Sequence, residues 1–147
     1  MNQTTLFRFL VLASIAVAVL GSLVDSIVPG LLPTPLEDAY ETYLATEEPS
    51  MSLALTLGGF TIVLLLGTLV GTVGLLLFKP WGRPLSLWTS VLAMFSYPFI
   101  GPVLCSGWAA MLTETSMMLW GAALAMAYFA DIKVRFETGF ANTVIES

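Results

Sequence analysis

From Met51 to Phe78 the chain runs without a single charged side chain. A helix needs about 20 residues to cross a hydrocarbon core of about 30 Å. So long an apolar run must sit either deep in a large protein or in lipid, and a chain of 147 residues is not large. Three further stretches have the same character. One spans about 6–28, interrupted only by Arg8 and Asp25 near its two ends. Another spans about 85–104, and the last, about 106–132, contains Glu114. Lys79-Pro80-Trp81-Gly82-Arg83-Pro84 separates the second stretch from the third, because two prolines, a glycine and two cations do not continue a buried helix. Ile100-Gly101-Pro102 loosens the end of the third, and Pro98 is placed to kink it.

Composition points the same way. Hydrophobic residues make up 57% and charged residues 10%, against roughly 25% charged in a soluble domain. Five basic and ten acidic side chains do not cover the surface of a water-soluble globule. These numbers argue against a soluble enzyme, a disordered tail and a disulfide-stapled secreted module. So few cations also argue against a nucleic-acid partner. The expected fold is all-α: an integral membrane protein with four transmembrane helices as an antiparallel bundle, forming a single membrane domain over 1–147. The first stretch also has features of a secretory signal, with Arg8, an apolar run and small residues from Ala18 to Ser22. Its apolar run is too long for a signal core and lacks a clean small-x-small site, so an uncleaved anchor is expected.

The cations set the orientation. Arg8 stands near the start of the first span, Lys79 and Arg83 lie between the second and third, and Lys133 and Arg135 follow the fourth. The other two connections hold no Lys or Arg. Four spans therefore put all five cations on one side, with both termini and the tail 133–147 cytoplasmic.

The external loop 29–50 contains a helix start at Thr34-Pro35-Leu36-Glu37: a Thr cap, proline at the first helical position and Glu three residues after the cap. Leu36, Tyr40, Tyr43 and Leu44 then recur at helical spacing, with Glu37, Asp38 and Glu41 on the other side. A short amphipathic external helix on the membrane surface is expected, serving as a tether or as a lid. With Glu47 and Glu48 its acids form a candidate external acidic patch, read either as a cation-attracting surface or as an ordinary solvated loop.

Asp25 and Glu114 are the ionisable residues inside the spans, where such groups are costly. Counted from Arg8 and from Asp131, both are expected about 25 Å up, a little inside the external boundary. Tyr97, Thr113, Thr115 and Ser116 fall at that level and complete a candidate intramembrane polar site. Its possible roles are structural hydrogen bonding, a site for a cation or polar ligand, and a salt bridge to another subunit.

Helices in lipid approach closely through small residues. The second span offers Gly67, Gly71 and Gly74, for packing within the chain or for self-association. The fourth offers Ala110, Glu114, Gly121, Ala125 and Tyr128, which places Glu114 inside the bundle. Trp81, Trp88, Tyr128, Tyr97 and Trp108 mark the two interfaces, and Trp120 near the midplane reads as a packing residue.

The chain has no histidine and only Cys105 as a cysteine. A Ser/His or Cys/His dyad, the usual zinc ligand sets, His-ligated haem and an internal disulfide are therefore absent. No catalytic residue, cofactor or metal is expected. Asn2-Gln3-Thr4 matches a glycosylation sequon on the side expected to be cytoplasmic. In outline the chain resembles small four-span proteins of bacterial inner membranes, without a diagnostic motif. The expected function is non-catalytic binding: a scaffold, assembly factor or immunity-like partner, in a homo-oligomer or a larger membrane complex in the lipid bilayer. The alternative is a small cation or polar-solute transporter or channel subunit using Asp25 and Glu114.

Overall fold

The computed structural model describes residues 2–28, 30–46, 51–100 and 102–137. They form helices and connecting turns, with no strand among the described residues. The helices are α1 (Gln3–Ile27), α2 (Thr34–Thr46), α3 (Met51–Leu76), α4 (Gly82–Ile100) and α5 (Gly107–Phe129), with a further short helix over 133–137.

Each boundary has a local cause. Asn2 caps α1 by accepting from the Thr4 amide, and Ser106 caps α5 by accepting from the Ala109 amide at 3.2 Å. α3 closes with the Lys79 amide bonded back to the Gly74 carbonyl at 2.8 Å, across Phe78 in the left-handed region at φ 54°. α4 begins at Gly82, earlier than the sequence suggests, because a first turn has free amides and tolerates Arg83-Pro84. It ends at Ile100 rather than 104, since Pro102 follows two residues later and cannot extend the ladder. Pro98 lies inside its last turn. In α2 the Pro33 carbonyl accepts from the Leu36 and Glu37 amides at 2.9 and 3.2 Å, so the ladder starts at Pro33 and Thr34 is the first helical residue rather than the cap.

The long helices associate as two antiparallel pairs, α1 with α5 and α3 with α4, and the pairs meet much less extensively. Where they meet, the core forms: Phe7 and Val11 from α1, Leu75 from α3, Ala123, Leu124 and Ala127 from α5, and Ile132 and Phe136 beyond it. Farther along, the Trp120 indole N–H donates to the Ser90 hydroxyl at 2.9 Å and ties α5 to α4, the packing role expected of that ring.

Within the α3–α4 pair the glycine stripe is the contact. A Cβ added at Gly67 would lie 2.6 Å from Thr89 Cγ2, at Gly71 2.6 Å from Ser86 Oγ, and at Gly74 2.7 Å from Gly82 Cα. At Gly74 backbone meets backbone, and at Gly67 and Gly71 the side chains of Thr89 and Ser86 fill the space a Cβ would need. The stripe is therefore used within the chain.

Among the described residues two helices, Gln3–Ile27 and Leu55–Leu76, are long and apolar enough to cross a membrane. α4 and α5 do not meet that measure. α4 has 19 residues and opens on Gly82-Arg83-Pro84, while α5 carries Thr113-Glu114-Thr115-Ser116.

Candidate functional site

Asp25 stands in the last turn of α1 and reaches across to the start of α5. Its carboxylate accepts from the Ser106 amide at 2.9 Å and from the Ser106 hydroxyl. The same hydroxyl caps the Ala109 amide, so one acid serves the positive end of α5 directly and through a side chain. Charge-assisted bonds of this kind are worth about 1.5–3 kcal/mol each. The partners are structural, and they occupy both oxygens of the group.

Glu114 is elsewhere. The expectation of equal height takes Arg8 and Asp131 as level, whereas Gln3 is the residue that meets Asp131, at 3.2 Å through its side-chain amide. That shifts the scale on α1 by five residues, roughly 7 Å. Contact between Gly21 and Thr113 fixes the same register, putting Glu114 more than a turn deeper than Asp25. Nor does Glu114 face inward. The buried line of α5 is Ala109, Ser116, Ala123 and Ala127, while Glu114, Gly121 and Ala125 are exposed on the other side. A Cβ at Gly121 would meet nothing within 4 Å. The expected packing role of Gly121 and Ala125 is thus not exercised within the chain. Burying the Ser116 hydroxyl, satisfied by the Ser14 carbonyl at 2.9 Å, costs far less than burying a carboxylate.

No hydrogen bond joins Tyr97, Thr113 or Ser116 to either acid among the described residues. Tyr97 is exposed on α4, Thr113 lies against Gly21, and Ser116 serves the α1–α5 interface. The candidate polar site is therefore dispersed. In the acidic patch, Glu37, Asp38 and Glu41 are exposed on α2, and Glu47 and Glu48 lie outside the described residues. α2 buries none of its residues, and Tyr40 holds it by donating to the Pro102 carbonyl at 3.1 Å. Among the described residues no three of His, Cys, Asp and Glu converge to hold a metal ion. Cys105 is exposed.

A cluster of aromatic rings and cations lies at the opposite end. Phe7, Phe78 and Phe136 pack with ring centroids 5.2–6.0 Å apart. Arg8 and Arg135 lie over the Phe78 ring at 5.3 and 5.8 Å, and Arg83 lies over Phe136 at 5.0 Å and Tyr128 at 5.6 Å. Arg8 also donates to the Leu76 carbonyl at 3.4 Å and Arg83 to Ala127 at 3.3 Å, meeting the negative ends of α3 and α5. Arg83 pairs with Glu137 at 4.0 Å. A cleft lined by Asn2, Gln3, Thr4, Asp131, Ile132 and Arg135 opens beside this cluster, remote from Asp25. In sequence, Phe7-Arg8, Phe78-Lys79 and Arg135-Phe136 each set a phenylalanine beside a cation, but the rings are met by cations from other segments, so adjacency alone does not disclose the cluster.

No family model, curated protein or solved structure matches the chain.

Proposed function

We propose that this chain is a four-span membrane protein of non-catalytic binding type, a scaffold, assembly or immunity-like partner in a bacterial inner membrane. The observation that carries the membrane reading is where apolar surface lies. In each of the two most apolar helices only 22% of the most apolar stretch is buried, whereas a core helix of a soluble protein is mostly buried. Exposed on these and the neighbouring helices are Leu12, Leu20, Phe60, Ile62, Leu66, Phe95, Phe99 and Met118, a surface that water does not tolerate and lipid does. Threonine hydroxyls of α3 are turned onto their own backbone, as Thr61 on Leu57 and Thr68 on Leu64, which suits an apolar surrounding.

Binding is favoured over conduction by the state of the two acids. A path for cations needs polar groups in sequence along its length. Asp25 is engaged at a helix cap, and Glu114 faces away from the paired helices at a different depth. Purification in a mild detergent from native membranes is expected to bring down a second membrane protein in stoichiometric amount. Recovery of the chain alone, combined with cation uptake when it is reconstituted in liposomes, would establish the transporter instead.

A further inference from the structure

We propose that the outer face of α5, formed by Glu114, Gly121 and Ala125, docks a transmembrane helix of another protein that carries a lysine or arginine at the depth of Glu114. The inference rests on the membrane reading and names the partner's chemistry. Glu114, Met118, Gly121 and Ala125 recur at helical spacing on the side of α5 away from α1, and all are exposed. Glu114 makes no hydrogen bond or ion pair among the described residues. A charged carboxylate inside hydrocarbon costs about 2.5–3.5 kcal/mol on insertion scales and calls for a partner at its own depth.

The described residues offer none. Arg8, Arg83 and Arg135 are gathered at the Phe78 and Phe136 rings, at the other end of α5. From Glu114 to that end is roughly 22 Å along the helix. A second copy in the same orientation places Glu114 against Glu114, like charge against like charge, and supplies no cation at that level. Charge complementarity therefore selects a basic partner helix. Gly121 and Ala125, on the same face with open space beyond Gly121, let its backbone come close.

The test reconstitutes the full, labelled chain in phosphatidylcholine vesicles with synthetic leucine-alanine transmembrane peptides. The peptides carry one Lys, one Glu or only Leu at the matching depth, and association is read by energy transfer. The Lys peptide is expected to bind at least tenfold more tightly than the Leu peptide. Glu114→Leu abolishes that preference and Gly121→Leu weakens it; both positions are exposed, so folding survives. Equal binding of the Lys and Leu peptides overturns the inference. So does transfer between copies of the chain that Glu114→Leu removes, which identifies a second copy as the occupant. Flotation of the vesicles before peptide is added separates the two levels, because a chain that does not float with lipid overturns the membrane reading itself.

Discussion

Phe78 adopts φ 54°, a conformation that costs a residue with a Cβ roughly 1–2 kcal/mol and that glycine enters freely. The ring holds it there. It packs on Phe7 and Phe136 and lies under Arg8 and Arg135, so the strain at the end of α3 is offset by contacts that unite three parts of the chain. Two truncations separate these effects. Phe78→Ala loses the partly buried ring and keeps the strain, for an expected loss of about 1.5–3 kcal/mol. Phe78→Gly loses the ring and releases the strain, so it should be the more stable of the two by about 1 kcal/mol. Equilibrium unfolding in mixed micelles reads the order, and a less stable glycine variant would show that the left-handed turn is not formed. Ser86 presents the converse case. Its hydroxyl is buried against Gly71 without a partner, a position where close backbone approach has displaced hydrogen bonding.

The glycines of α3 and α5 look alike in sequence and differ in surroundings. Gly71→Ala must displace Ser86 and is expected to cost about 1–3 kcal/mol. Gly121→Ala meets open space, and should stabilise α5 by up to about 1 kcal/mol through helix propensity. Thermal unfolding in detergent gives both signs, and a loss at Gly121 equal to that at Gly71 would place Gly121 in a contact. The α3 face was legible because Gly67, Gly71 and Gly74 recur at helical spacing, one stripe for close approach, whereas the adjacent pair Gly58 and Gly59 meets nothing within 4 Å. The α5 face was not. Small residues and methionines occur all around that helix, and where lipid replaces water the outward side carries no polar mark to distinguish it. The helix limits of α4 shifted for a related reason: a proline reads as a break, yet the first turn of a helix accommodates one.

At the scale of the molecule, charge separates the two ends. Arg8, Arg83 and Arg135 converge on one aromatic cluster, and Asp25 ties α1 to α5 at the other end, where α2 is held by Tyr40. The sorting of cations was readable from their positions between the apolar stretches. Their convergence on three phenylalanines was not, because it depends on how α1, α3 and the segment after α5 pack. The separation of Asp25 from Glu114 was hidden as well, since it turns on Gln3 rather than Arg8 meeting Asp131. Accessibility of single cysteines to a membrane-impermeant maleimide tests the four crossings most directly. Native Cys105 supplies one site, and the Cys105→Ser background receives Asn2→Cys, Thr46→Cys, Lys79→Cys or Lys133→Cys. Four crossings with the cations inside require Cys105 and the cysteine at position 46 to label in intact cells. The cysteines at positions 2, 79 and 133 should label only after the membrane is opened. Labelling of position 79 or 133 in intact cells, or of all five sites alike, would contradict the four-span arrangement.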